Sequence, residues 1–247
     1  MPRGHPRGTS NLIHPEKITG ERCAGKLART VREGAVGKGP GPRAPRRRPT
    51  SLRRWRDKGL AAEFHDRQRD RVRTVAGRDP EPTAGIIDAQ SVKAAASVPA
   101  ATRGFDGGKK VNGRKRHIVV DTLGLLLHVM VTAASVTDRE AGQTLLARLH
   151  ERNWRVTRVW ADGGYTRRLV DFARDVLSVA LTVVRRSDDT SGFTVLPKRW
   201  LVERTFAWLM HSRRLARDYE RRTDTSEAVI RWSMTMVMSR RLARRPG

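Results

Sequence analysis

Apolar residues follow no period over residues 1–50, which instead hold more than half of the twelve prolines and end in Arg46-Arg47-Arg48-Pro49. Such text buries too little surface to offset the entropy of ordering it, so it reads as a disordered basic segment. From Ser51 to about Arg78, Leu52, Trp55, Leu60, Phe64 and Val72 are spaced among charges as in a helix. Asp79-Pro80-Glu81-Pro82 ends that pattern, because two prolines so close together cannot continue a helix.

From Thr83 onward the pattern mixes both periods. Ile86 and Ile87 open a first strand; Arg116–Asp121 and Leu125–Thr132 read as a hairpin turning at Thr122-Leu123-Gly124. Thr137 followed by Glu140 is a capping box, opening a helix through Leu145, Leu146 and Leu149. Arg155–Ala161 reads as a strand, Leu169, Phe172, Ala173 and Val176 as a helical stripe, and Leu181–Val184 as a short strand. Pro197 suits the first turn of a helix whose Val202, Phe206 and Leu209 share a buried face. A last helix runs from about Thr225 to Arg241 through Val229, Trp232, Met236 and Val237. This order predicts an α/β fold, a mixed sheet with helices against it. It divides the chain into a basic segment 1–50, a helical piece with linker 51–82, and a mixed domain 83–247.

Charge narrows the partners. A net charge of +26 over 247 residues attracts polyanions, of which DNA and RNA are the commonest. An anionic membrane surface is the rival, but no basic amphipathic helix with an aromatic face favours it. The single cysteine, Cys23, excludes an intrachain disulfide and a zinc site of several thiolates, which suits a reducing cytosol. No run approaches the roughly 20 apolar residues that span a bilayer, and the basic N-terminus lacks the apolar stretch of a secretory signal. The expectation is a soluble, cytoplasmic protein facing nucleic acid.

Three acids stand out against that basic background. Asp88 follows the first apolar run, Asp162 ends Val159-Trp160-Ala161 and precedes Gly163-Gly164, and Glu203 lies in the helix after Arg199. Singly each has a plain structural reading: a cap or turn, a turn bonding its own backbone, and an i,i+4 ion pair with Arg199. Together they offer oxygen ligands from two strand ends and a helix, which suits a hard divalent cation such as magnesium. Two such ions can activate a hydroxyl and stabilise the leaving oxygen of a phosphodiester. Glu203 sits roughly 100° from the centre of the Val202/Phe206/Leu209 stripe, at the edge of the buried face. Lys109, Lys110, Arg114, Lys115 and Arg116 form a glycine-flanked basic cluster, either a solvated charge run or a contact to the DNA backbone. Trp200, Trp208 and Tyr219 are candidates for stacking on unpaired bases, with at least one tryptophan expected in the core. Asp106 and Asp121 are read as structural, His117 as a structural histidine with an active-site role as the alternative, and Asp138 as a first-turn acid favoured by the helix dipole.

A resemblance extends these readings. The segments Gly85–Lys93, Phe105–Lys110, Gly113–His117, Ala161–Tyr165, Pro197–Leu209, Arg213–Leu215 and Asp218–Glu220 are similar, in order, to the catalytic domain of bacterial transposases of the insertion-sequence-five group, within the DDE class. The resemblance implies a ribonuclease-H-like sheet flanked by helices, with Asp88, Asp162 and Glu203 as the catalytic and metal-binding triad. It implies two Mg²⁺ or Mn²⁺ ions, and double-stranded DNA as partner, both the element's terminal inverted repeats and a target. It also implies self-association on DNA and nucleoid association, and adds Arg199, Trp200, Arg204, Arg213 and Arg214 to the DNA-binding candidates. Two departures stand beside it. Residues 51–82 look like the tail of the family's helical recognition region, with the Gly/Pro/Arg text of 1–50 in place of its upstream helices. Met210 occupies the position seven after Glu203 where related groups carry a basic residue, leaving Arg213 or Arg214 as substitutes. The expectation is thus an insertion-sequence transposase, with a truncated, catalytically silent DNA-binding remnant as its alternative.

Overall fold

The computed structural model describes residues 51–166, 168–184 and 198–244; the segment 1–50 and Pro197 lie outside these. Helix α1 covers Ser51–Asp57 and α2 covers Leu60–Val75. A single helix was the expectation here. The chain breaks it at Lys58-Gly59, where Gly59 takes φ 71°, a left-handed conformation that glycine adopts without steric cost.

Strand β1 spans Ala84–Lys93, β2 Gly104–Asp106, β3 Val111–Val120 and β4 Leu126–Ala133. They are followed by α3 (Asp138–Arg152), β5 (Arg158–Ala161), α4 (Arg168–Asp175), β6 (Ala180–Val183), α5 (Arg199–Met210) and α6 (Thr223–Ala243). Helix α3 begins as its capping box indicates, with the Thr137 hydroxyl accepting the Glu140 N–H. Strand β5 starts three residues later than the valine-rich text suggests. Strand β1 is far longer than its apolar opening, so Asp88 lies inside the strand, opposite Ile118, and not at its end.

The strands form one sheet in the order β4-β3-β1-β5-β6, with β2 paired to the first residues of β3. Strands β1, β3 and β4 run antiparallel, whereas β5 is parallel to β1 and β6 parallel to β5. This is the mixed sheet expected, with helices on both faces. Alternation along the strands sorts the core. Ile87, Val119 and Leu127 meet Leu145, Leu146, Leu149 and Leu169 of α3 and α4 on one face. Ile86, Ile118, Val120 and Val129 meet Val202, Phe206, Leu209 and Ile230 of α5 and α6 on the other. Helix α5 is thereby fixed to the sheet through its apolar stripe, which leaves Glu203 at the edge.

Helices α1 and α2 lie against α6, with the Trp55 and Phe64 rings 5.2 and 6.4 Å from that of Trp232. A second tie is polar. Buried Asp121 accepts the N–H groups of Leu123 and Leu125, closing the β3–β4 turn, and pairs with Arg73 of α2. Among the described residues no helix is long and apolar enough to cross a membrane.

Three buried histidines make stability depend on pH. Burial, the largest cause in each case, lowers His65, takes His117 down to about 4 and His128 to about 3; nearby arginines push His128 the same way. The unfolded chain takes up these protons near pH 6.5, while the folded chain resists them. Their contribution is therefore present above pH 6.5 and is lost as pH falls below it. The thermal midpoint should drop between pH 7 and pH 5, and drop less in His128→Gln. Identical pH profiles for the two proteins would exclude His128 as a source.

Candidate active site

Strands β1 and β5 run parallel with Ile86 opposite Trp160. Two residues further along each chain stand Asp88 and Asp162, so the register itself brings these carboxylates to neighbouring positions. Helix α5 packs on β1 and β3 and delivers Arg199 and Glu203 to the same place. The Arg199 guanidinium lies between the acids, with Nη2 3.7 Å from Asp162 Oδ2 and Nε 3.4 Å from Glu203 Oε1. Asp162 also acts as the turn residue its sequence suggested, Oδ1 accepting the Gly164 N–H at 2.9 Å.

The acidity of Asp88 is strongly shifted. Burial first, and the Asp162 charge after it, push its carboxyl up to about 6; the Ala89 N–H bond, Arg199 and Lys109 act in the opposite sense. The donor set, oxygen only and drawn from three elements, suits a hard divalent cation. Among the described residues, however, no three His, Cys, Asp or Glu side chains are already arranged as a metal cage. Arg199 takes the intervening position.

The site has further neighbours, of which Tyr165 is the one the sequence does not single out. Tyr165 is fully buried, its hydroxyl has no hydrogen-bond partner, and burial together with the charges of Asp88, Asp138 and Asp162 raises its pKa well above the usual phenol value. Asp138 is the first residue of α3, as expected, and it also faces inward. Its Oδ1 lies 3.1 Å from Lys115 Nζ and 3.9 Å from His117 Nδ1. His117 is buried, with Nε2 3.0 Å from the Thr132 hydroxyl. The one signal for Tyr165 in the sequence is its place three residues after Asp162.

The basic candidates divide into two groups. Arg114, Lys115 and Arg116 are buried, which corrects their assignment as DNA contacts. Arg114 donates to the carbonyls of Thr102, Glu220 and Arg221 and pairs with buried Asp218 at 3.3 Å. Arg116 donates to the Leu215 carbonyl, and Lys115 is held by Asp106 and Asp138. The physical reason is position: β3 is an inner strand covered on both faces, so its charged side chains require internal partners. Lys109 and Lys110 are exposed, and Lys109 Nζ donates to the Ala89 carbonyl beside Asp88. Arg213 and Arg214 are exposed, Arg214 pairing with Glu220 at 2.7 Å. Arg204 stacks between Trp200 and Trp208, its Cζ 4.4 and 4.8 Å from the ring centroids, and donates to the Leu123 carbonyl. Trp200 and Tyr219 are exposed, whereas Trp208 packs partly into the core. Trp200 and Arg204 line a cleft of about 540 Å³ together with Arg241 and Arg244. Asp106 and Asp121 are structural: Asp106 accepts the N–H groups of Gly108 and Lys109 in a turn.

Comparison with known proteins shows what the chain is similar to. Over 133 residues the chain is 34% identical to a Burkholderia cepacia protein named as the transposase for insertion sequence element IS402. That overlap is 51% of this chain and 62% of the relative, so the chain spans less than two thirds of that protein's length. The crystal structure of the Mos1 strand transfer complex aligns with 85% of this chain and 65% of that chain, at 13% identity and a TM-score of 0.30. Residues 79–238 match the family described as Transposase DDE domain. That match covers more than half of the chain, running from ahead of β1 into α6 through all three acids. The chain belongs to the transposase DDE-domain family.

Proposed function

We propose that this chain is the transposase of an insertion sequence, cutting DNA at the element's ends and joining the freed 3′-hydroxyl to a target. The observation that carries the reading is the Arg199 guanidinium set between Asp162 and Glu203, with Asp88 brought beside Asp162 by the parallel register of β1 and β5. Transposases of the DDE class use divalent metal ions, and Asp88, Asp162 and Glu203 would hold two Mg²⁺ or Mn²⁺ here. Bound there, the ions would neutralise charge on the phosphodiester and favour the ionised form of the attacking hydroxyl.

The chain's own residues supply the rest. Lys109, Lys110, Arg213 and Arg214 project from the surface and suit contacts to the phosphate backbone, while Trp200 offers a ring face to a base near a cut end. Residues 51–82 serve as the end of the recognition region, 83–247 as the catalytic domain, and two copies meet on paired ends in the bacterial nucleoid. An intact acidic set within a match from residue 79 to 238 favours this reading over a catalytically silent remnant.

The test is direct. The full chain, incubated with Mg²⁺ or Mn²⁺ and duplexes bearing the element's own terminal repeats, should release 3′-hydroxyl ends and form joined products. Bound but uncut DNA with either ion, or equal cutting in the presence of a chelator, would overturn the proposal.

A further inference from the structure

Arg199 compensates the acidic site without being locked into it. Its contacts to Asp162 and Glu203, at 3.7 and 3.4 Å, are longer than the roughly 2.7–2.9 Å of a well-formed guanidinium–carboxylate pair. Its Nε is shielded from solvent yet has no hydrogen-bond acceptor. The side chain remains 37% exposed and belongs to the first residue of α5, so it can turn outward without disturbing the buried stripe of that helix. The other cations nearby are engaged elsewhere. Lys109 donates to the Ala89 carbonyl, and Lys198 lies 3.5 Å over the Trp160 ring.

We propose that Arg199 is an exchangeable counter-ion: a divalent cation displaces it from Asp162 and Glu203, and the freed guanidinium then binds a DNA phosphate beside the metal. The inference rests on the metal-dependent reading above. Replacing one positive charge by two better compensates the cluster of carboxylates. The displaced guanidinium has the planar, forked donors that suit a phosphate. Cation and DNA then bind cooperatively, and by linkage each raises the affinity for the other by the same factor.

The experiment follows Mn²⁺ binding by the full chain through the electron paramagnetic resonance of free Mn²⁺, without DNA and then with a short duplex. Without DNA, Arg199→Ala should bind Mn²⁺ at least about 5-fold more tightly than the native chain, at the lower end of usual coupling factors. Arg199→Lys should resemble the native chain. Added duplex should tighten Mn²⁺ binding more in the native chain than in Arg199→Ala. Arg199→Gln gives the same comparison with a side chain nearer in length, and circular dichroism checks that each variant is folded. Mn²⁺ binding that is equal or weaker in both Arg199→Ala and Arg199→Gln overturns the exchange while leaving the metal centre standing. Absence of Mn²⁺ binding in every protein, or binding in Arg199→Ala that is indifferent to Asp162→Asn, overturns both.

Discussion

Asp162→Asn should lower strand cleavage on the order of 10³-fold or more, while the protein stays folded and still binds DNA. Asparagine has nearly the same shape, and its side-chain oxygen can still accept the Gly164 N–H that shapes the turn after β5. What disappears is one negative charge beside Asp88 and Glu203. The ion pair lost with Arg199 is 3.7 Å long and partly exposed, so little stability goes with it. DNA affinity measured without metal should hold or rise, because a charge that repels phosphate is gone. Glu203→Gln should behave alike, since Glu203 lies exposed at the rim of α5 and supports no core contact. Cleavage rates and DNA affinities measured on the same preparations check both variants. Native cleavage by Asp162→Asn would remove this residue from the chemistry; loss of DNA binding together with cleavage would indicate a structural defect instead.

Arg114→Met has the largest expected effect on stability, a loss of roughly 3–5 kcal/mol. The native guanidinium is fully buried, and its partner Asp218 is buried with it. Methionine fills much of the space but leaves that carboxylate without its paired guanidinium, held by the Ser226 hydroxyl and the Glu220 N–H with Arg116 as the remaining charge acting on it. Three backbone carbonyls, at Thr102, Glu220 and Arg221, lose their donor as well. Chemical denaturation gives the midpoint that checks the loss. Arg213→Ala and Arg214→Ala provide the contrast, because both side chains are exposed. Each should change stability by less than about 1 kcal/mol and instead weaken DNA binding and flatten its salt dependence. A stable Arg114→Met protein with weakened DNA binding would restore Arg114 to the surface role its sequence suggested.

That reversal shows where local text loses information. The run Gly113-Arg114-Lys115-Arg116-His117 reads as a solvated patch because its acidic partners are remote: Asp218 lies about a hundred positions away, and Asp138 belongs to another element. Burial of a charge is decided by those partners, and no window around Arg114 contains Asp218. The length of strand β1 escapes local sequence for a related reason. Gln90 and Ser91 interrupt its apolar opening, yet pairing with β3 carries the strand past them to Lys93. The α3 capping box, the β3–β4 hairpin and the buried face of α5 were legible, because each is settled by residues within a few positions. At the site, the spacing of Arg199 and Glu203 was readable as a helical ion pair. Its extension to Asp162 was not, because it depends on the parallel register of β1 with β5.

The β3–β4 turn has a mechanical consequence. Asp121 ties it to α2 through Arg73, and the Leu123 and Gly124 carbonyls accept from Arg204 and Thr205 on α5. Arg204 is the residue directly after Glu203. A few turn residues therefore act as a spacer of fixed thickness between the helix that leads into the domain and the helix that carries the third acid. No slack loop separates them at this point, and the turn sets the distance between the two helices much as a shim sets a gap.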